Sequence, residues 1–186
     1  MRSWTFKMAK AYFFDWMSTL GGVDNEKSIR NIITQEEHEA LLTNRFNDIN
    51  LNEGRSKEVN LKLSGAKLHL YQDSEKIIKS LKRKYSLAII SNIYEITSQR
   101  IKKLFPDFLE KFDFITWSCE VGMRKPNQEI FKYTLEKLNE YKGLNIFPHE
   151  VIMVGDSSDK DIVPAVQLGM QTRLIDRNKQ NLNDII

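Results

Sequence analysis

The sequence predicts an α/β fold in which helices cover both faces of a parallel sheet. Short apolar runs alternate with segments of helical periodicity along most of the 186 residues. The runs at 11–14, 87–90 and 151–154 are apolar or aromatic at every position, which is typical of strands buried on both faces. Polar residues follow each run, and in a parallel sheet the ligand crevice lies beyond the carboxyl ends of the strands.

The first strand ends at Asp15 and leads through a Ser-Thr pair and two glycines into an insertion. Residues 34–37, Thr-Gln-Glu-Glu, have the form of a capping box, so we predict a helix from about residue 35 to residue 48. A second helix is predicted downstream, because apolar residues recur there at intervals of three and four. They are Val59, Leu63, Ala66 and Leu70. We therefore expect the insertion to hold only a few helices.

The remainder of the chain alternates helices with strands. Asp73 or Ser74 is a candidate cap for the first of these helices, and Pro126 is suitably placed at the start of a later one. Two further helices are predicted at 96–105, where Pro106 ends the segment, and at 161–168. The predicted strands are 87–90, 112–117, 151–154 and 172–175. A parallel sheet needs crossover helices of this kind between its strands.

The composition narrows the class of protein. The formal net charge is +3, with 28 basic and 25 acidic residues, and no long basic block occurs, so we expect no nucleic-acid partner. The single cysteine, Cys119, excludes an internal disulfide framework and a cysteine metal cage. No run approaches the length of a membrane span, and the N-terminus lacks the apolar core of a signal peptide. A cytoplasmic protein without membrane contact is predicted.

Polar residues at the strand ends form a set suited to phosphoryl transfer. Asp15 can act as a nucleophile, and Asp15 and Asp156 in one crevice would repel each other unless a cation such as Mg²⁺ lay between them. Lys125 can neutralise further negative charge, and Ser91 can hold phosphoryl oxygens. Each residue alone is more often a cap or a solvated side chain. The prediction of a site therefore depends on their occurring together.

Four sequence blocks give this chain a clear resemblance to the haloacid dehalogenase (HAD) superfamily of hydrolases. They read DWMSTL at 15–20, ISN at 90–92, GMRKP at 122–126 and GDSSDKD at 155–161, where the family usually has DxDGTL, a strand ending in S/T-N, GxxKP and GDSxxxD. The resemblance implies a Rossmann-like core, residues 1–21 and 70–186, and a small helical cap, residues 22–69.

The resemblance also implies a role for each matching residue. Asp15 would be the nucleophile that forms an aspartyl-phosphate, and Ser91 and Lys125 would hold the transferring phosphoryl group. Magnesium would be bound by the carboxylates of Asp15 and Asp156 and by the main-chain oxygen of Met17.

Supporting roles are implied for three more residues. Asp161 would support the metal site from the second shell or through water, and Thr19 and Asn92 would shape the substrate-binding loops. The expected substrate is a small phosphorylated molecule. The sequence leaves the identity of this substrate and the oligomeric state open.

Met17 departs from the family pattern at the position of the acid that protonates the leaving group, and a thioether cannot do this. Three interpretations remain. A phosphohydrolase could act on easy leaving groups or use a cap residue, with Glu36, Glu37 and His38 as candidates. A pseudo-hydrolase could retain only the phosphate and magnesium pocket. A dehalogenase needs no leaving-group acid, but it also has no use for the metal-binding carboxylate at Asp156.

Overall fold

The computed structural model describes residues 8–24, 33–43, 58, 61, 64–65 and 67–186. In this part of the chain a five-stranded sheet and a two-stranded sheet are present. The strands are β1 Ala11–Phe14, β2 Gly21–Val23, β3 Leu68–Leu70, β4 Ser86–Ser91, β5 Phe114–Trp117, β6 Val151–Gly155 and β7 Gln171–Leu174. The larger sheet has the order β5-β4-β1-β6-β7 with all neighbours parallel, which confirms the predicted α/β sheet.

Helices cover both faces of this sheet. They are α1 Gln35–Thr43, α2 Ser74–Lys82, α3 Glu95–Leu104, α4 Pro106–Leu109, α5 Ser118–Val121, α6 Gln128–Lys142 and α7 Val163–Gln167. Helices α2, α3 and α4 contribute to one hydrophobic core, and α6 and α7 contribute to the other. Among the described residues, none of the helices is long and apolar enough to cross a bilayer.

The two cores explain why the strands are apolar at consecutive positions. In β1, Tyr12 and Phe14 pack into one core, and Ala11 and Phe13 pack into the other. Strand β1 lies between β4 and β6, so the chain progresses across the sheet in one direction through β4 and β5 and in the other through β6 and β7. The reversal at β1 creates a crevice at the carboxyl ends of the central strands. Asp15, the residue after β1, lies at this point.

The insertion differs in part from the prediction. Helix α1 begins as expected with a capping box, in which the Thr34 N–H donates to Glu37 Oε2 at 2.7 Å and the Glu37 N–H donates to Thr34 Oγ1 at 3.1 Å. Its predicted continuation at 44–48 lies outside the described residues, as do Val59, Leu63 and Ala66. The assignment of Leu70 to a helix is wrong, because Leu70 pairs with Gly21 in the antiparallel β2–β3 ribbon. The division into core and cap stays a prediction.

Two helix starts also differ from the prediction. Helix α6 begins at Gln128, two residues after Pro126, because Asn127 is the N-cap and its Oδ1 accepts the Glu129 N–H at 3.0 Å. The segment predicted as a helix from residue 161 starts earlier, as a π-helical turn Ser158–Ile162 that precedes α7. That turn places Asp161 inside the structure, at 1% exposure.

Candidate active site

The buried carboxylate of Asp15 forms the centre of the candidate site. Asp15 follows β1, is 5% exposed, and donates its main-chain N–H to the carbonyl of Val154 at 2.9 Å. Lys125 Nζ donates a hydrogen bond to Asp15 Oδ1 at 2.7 Å and a second to Asp161 Oδ1. Lys125 is itself only 2% exposed. The structure therefore brings together residues that are 110 positions apart in sequence.

Lys125 is held in place through its main chain. The Asn92 side chain donates from Nδ2 to the Lys125 carbonyl at 2.8 Å, and Asn92 Oδ1 accepts the Lys125 N–H at 2.8 Å. This reciprocal pair fastens the loop before α6 to the end of β4. Because both ends of the Asn92 amide are used in this way, the side chain supports the lysine.

An acidic cluster of Asp15, Asp156 and Asp161 lies beside the lysine. Each of the three can offer a carboxylate oxygen within 4.8 Å of the others. Asp161 Oδ2 accepts the Ser157 N–H at 3.0 Å, and a side chain at Gly155 would overlap the Asp161 carboxylate. The glycine of the Gly-Asp-Ser block thus has a structural reason to be there, and the Ser157 side chain caps the following turn by accepting the Lys160 N–H at Oγ, at 3.2 Å.

The chemistry of the acidic cluster fits Mg²⁺. Three carboxylates against one ammonium group leave an excess of two negative charges when all are ionised. Such a cluster would repel a phosphate dianion unless a cation compensated it. Oxygen ligands from one or two carboxylates, with waters completing the shell, are what Mg²⁺ prefers.

Burial sets the protonation of the two central groups. It raises the pKa of Asp15 from 3.8 to about 7, against the opposing effect of Lys125, and the nearby carboxylates of Asp161 and Asp156 raise it further. For Lys125, burial alone would lower the pKa, but attraction to Asp15 and Asp161 outweighs it and the pKa is raised. Lys125 therefore stays cationic, and a cation bound beside Asp15 would favour its ionised form.

Two of the predicted site residues have buried hydroxyl groups that make no hydrogen bond within the described part of the chain. They are Ser91 and Thr19, which are both 0% exposed. Ser91 ends β4, beside Asn92, whereas the carbonyl of Thr19 accepts a hydrogen bond from Arg177 Nε at 2.9 Å. Buried hydroxyl groups usually have a hydrogen-bond partner. The hydroxyl of Ser91 is thus buried and unsatisfied, Ser91 is absent from the cavity wall described next, and its binding of a phosphoryl oxygen stays a prediction.

A cavity of about 350 Å³ opens onto this cluster. Asp15, Lys125 and the two other carboxylates form one part of its wall. Another part is apolar and includes Val23, Leu42, Leu68 and Ile93. Its size suits a small molecule, with a charged group at the cluster and an apolar portion against the apolar part of the wall.

Met17 and Ser18 also line the cavity, directly after the Asp15 loop begins. Met17, at the position where the family pattern has an acid, thus belongs to the cavity wall and also packs against one of the two hydrophobic cores. Ser18 has a φ of 54°, in the left-handed region. Glycine adopts this conformation most easily, which explains why the family pattern has glycine at the Ser18 position.

The three candidate acids of α1 have different surroundings. Glu36 is exposed and is absent from the cavity wall, and Glu37 is engaged in the capping box with Thr34. His38 lines the cavity, and its Nδ1 is hydrogen-bonded to the hydroxyl of Tyr94. His38 is thus the only one of the three that lines the cavity together with the acidic cluster.

Four further residues of the cavity wall were not predicted from the sequence, namely Tyr94, Thr97, Arg100 and Lys160. The first three follow the Ser91-Asn92 block, in the loop before α3 and along that helix. Their distance from the end of the block at Asn92, two to eight positions, was the available signal. Nothing in their spacing separates them from ordinary helix residues.

Comparisons with known proteins agree with this architecture. A family model described as haloacid dehalogenase-like hydrolase matches residues 7–175. The pyrimidine 5'-nucleotidase YjjG of Escherichia coli is 29% identical over 96 residues, which are 52% of this chain and 40% of that protein. A glyceraldehyde 3-phosphate phosphatase of Methanocaldococcus jannaschii is 44% identical over 68 residues, 37% of this chain and 27% of that protein.

A solved structure extends the comparison to the whole fold. A HAD family enzyme of Bacteroides thetaiotaomicron, in complex with magnesium and inorganic phosphate, has a TM-score of 0.68 at 22% identity, with 94% of this chain and 98% of that chain covered. This likeness concerns the fold. The matches to the nucleotidase and the phosphatase span at most 40% of those proteins' own length. Since the family model covers nearly all of the present sequence, the protein belongs to the haloacid dehalogenase-like hydrolase family.

Proposed function

We propose that the protein is a magnesium-dependent phosphohydrolase that works through an aspartyl-phosphate on Asp15. The observation that carries the proposal is the meeting of Asp15, Lys125 and two further carboxylates in one buried cluster at a cavity. The names of the two curated relatives, a nucleotidase and a phosphatase, agree with phosphate ester hydrolysis.

In the proposed reaction, ionised Asp15 attacks phosphorus, the bond from phosphorus to the leaving oxygen breaks, and an aspartyl-phosphate forms. Water then hydrolyses this intermediate and regenerates Asp15. Lys125, fixed by Asn92, contributes positive charge to the phosphoryl oxygens, and the Ser91 hydroxyl donates a hydrogen bond to them.

Asp15 and Asp156 would hold Mg²⁺ together with the main-chain oxygen of Met17, and Asp161 would support them. When bound, the ion supplies Lewis-acid charge to the phosphoryl oxygens. Asp161 also holds Lys125 at the cluster through its second hydrogen bond. The expected substrate is a small phosphorylated molecule, in keeping with a cavity of about 350 Å³. A cytoplasmic location stays a prediction.

The first test is phosphate release from acetyl phosphate, p-nitrophenyl phosphate and an alkyl phosphate, with and without Mg²⁺. The natural protein is compared with Asp15→Asn and, as a matched control, with Asp159→Asn, since Asp159 is exposed on the nearby π-helical turn. We expect turnover that requires Mg²⁺, disappears in Asp15→Asn and persists in Asp159→Asn. Activity retained by Asp15→Asn would contradict the assignment of the nucleophile.

The alternative of a phosphate-binding pseudo-hydrolase is favoured by one observation, the presence of Met17 in the cavity wall in place of an acid. It predicts magnesium-dependent binding of inorganic phosphate in calorimetry without turnover of any of the three substrates. The dehalogenase alternative predicts metal-independent halide release from a haloacid. The excess of carboxylates beside Asp15 argues against it, because the chemistry of carbon–halogen hydrolysis leaves them without a role.

A further inference from the structure

The proposed reaction requires a proton for most leaving groups, and Met17 cannot provide it. Of the candidate acids on α1, Glu37 is engaged in the capping box and Glu36 lies away from the cavity wall. His38 lies on the cavity wall that also includes Asp15. Imidazole is the side chain that most often serves as a general acid and base near neutral pH.

Tyr94 fixes the orientation of this imidazole. It lies in the loop between β4 and α3, whereas His38 lies on α1, 56 positions earlier in sequence. The Tyr94 hydroxyl is hydrogen-bonded to His38 Nδ1, and the two rings meet edge to face with centroids 5.6 Å apart and an interplanar angle of 88°. A hydrogen bond at one ring nitrogen defines the role of the other, so the proton that His38 can exchange in a reaction is the one on Nε2.

We propose that His38 supplies the proton that Met17 cannot, with Tyr94 as a positioning residue. This inference rests on the proposed phosphohydrolase function. In the first step, Asp15 forms a bond to phosphorus, the leaving oxygen takes the bonding electron pair, and imidazolium His38 gives its Nε2 proton to that oxygen. In the second step, neutral His38 takes a proton from the attacking water, the aspartyl–phosphorus bond breaks, and phosphate leaves.

Other polar groups of the cavity fit this role less well. Arg100 and Lys160 line the same cavity, but guanidinium groups do not release protons in proteins, and Lys160 is exposed on the turn that follows β6. They are better suited to attract an anionic substrate. An enzyme with a leaving-group acid should cleave substrates whose leaving oxygen must be protonated, whereas an enzyme without one should cleave only substrates with easy leaving groups. Substrates of the first kind therefore test the role of His38.

The test uses three aryl phosphates of similar shape, the 2,4-dinitrophenyl, p-nitrophenyl and phenyl esters, whose leaving groups need increasing help from an acid. Release of the phenol in the first turnover, with enzyme in excess and Mg²⁺ present, isolates the first step. The variants are His38→Gln and Tyr94→Phe, with Glu36→Gln as a control on the same helix. Retained cooperative unfolding shows that each variant is folded.

We expect His38→Gln to slow release of phenol by about 100-fold or more and to leave release of dinitrophenol within about threefold of the natural protein. Tyr94→Phe should change the rates in the same direction by a smaller factor, and Glu36→Gln should change none of them. The tautomer of His38, read from its side-chain ¹⁵N resonances in the metal-free protein, should shift in Tyr94→Phe.

Two results would overturn the inference while the phosphohydrolase function survived. In one, His38→Gln slows all three esters by the same factor, which would mean that His38 only shapes the cavity. In the other, the natural protein cleaves the dinitrophenyl ester but never the phenyl ester, so that no acid acts. Failure of the proposed function itself looks different, because none of the esters would then be cleaved faster than by Asp15→Asn.

Discussion

Replacement of Asp15 by asparagine should stabilise the metal-free protein at pH 8, although it removes the proposed nucleophile. The reason is that burial raises the pKa of Asp15 from 3.8 to about 7. Between these pH values the folded protein retains a proton on Asp15 that the unfolded chain has released. The stability contributed by this group is therefore fully present below pH 3.8, decreases as the pH rises, and is lost above pH 7.

The size of the effect follows from the same shift. Each unit of difference between the pKa of Asp15 in the folded and the unfolded protein corresponds to about 1.4 kcal/mol. The ionised carboxylate therefore lowers the free energy of unfolding by something on the order of 4 kcal/mol at pH 8. Asparagine avoids this cost but weakens the hydrogen bond from Lys125, which keeps Asp161 as its second partner. We expect the free energy of unfolding of Asp15→Asn, relative to the natural protein, to rise by about 2–3 kcal/mol between pH 5 and pH 8.

The assay is urea unfolding in EDTA at several pH values from 5 to 8. Asp159→Asn is the control, because Asp159 is exposed and surface changes of this kind usually alter stability by under about 0.5 kcal/mol. If the curves for the natural protein and Asp15→Asn stay parallel within about 0.5 kcal/mol over this range, the burial argument for Asp15 is refuted.

Three further changes test other parts of the structure. At pH 8, Mg²⁺ at a hundredfold excess over its dissociation constant should stabilise the natural protein by about 2.7 kcal/mol, measured by thermal unfolding. The same Mg²⁺ concentration should barely affect the stability of Asp15→Asn. Equal stabilisation of both proteins would mean that the ion binds elsewhere. In a His38→Gln background, Met17→Asp should raise kcat/KM for phenyl phosphate by about a hundredfold, and an equal gain in Met17→Asn in that background would show that acidity is not the cause. Arg177→Met should lower the free energy of unfolding in urea by about 2–4 kcal/mol, because the buried Arg177 side chain pairs with Asp73 at 2.9 Å. The control Lys179→Met, at an exposed position, should lower it by less than about 0.5 kcal/mol. Similar losses in the two variants would mean that the Arg177 pair has no special role in stability.

The five-stranded parallel sheet could be predicted from the sequence because each of its strands is marked by a local run of apolar residues. Residues 151–154 are apolar at every position, and the structure buries them on both sides of β6. Asp15 and Asp156 could be placed near each other from topology alone, since β1 and β6 are parallel neighbours whose carboxyl ends coincide. The prediction of a common site thus followed from strand order.

Contacts that depend on exact tertiary placement could not be predicted in this way. Leu70 continued a helical spacing, but pairing with Gly21 in the β2–β3 ribbon decides its conformation. The bonds from Asn92 to the main chain of Lys125 connect two loops 33 positions apart. The partner of His38 was equally hidden, because Tyr94 belongs to a loop whose path depends on the packing of α3.

The candidate site has two parts, a buried charged cluster and an apolar part of the cavity wall, and each is subject to different physical constraints. Lys125 and Asp161 are at most 2% exposed and form an ion pair. Loss of Lys125 would leave Asp161 buried without its cationic partner, whereas loss of Asp161 would leave Lys125 with Asp15 alone. Leu42 and Leu68, in the apolar part of the cavity wall, make apolar contacts that tolerate changes of shape more easily. Changes in the charged cluster should therefore abolish activity on every substrate, whereas changes on the apolar wall should alter the choice among substrates. A leaving-group acid on α1 can likewise be exchanged without loss of the nucleophile, because Asp15 is held by the charged cluster and not by α1.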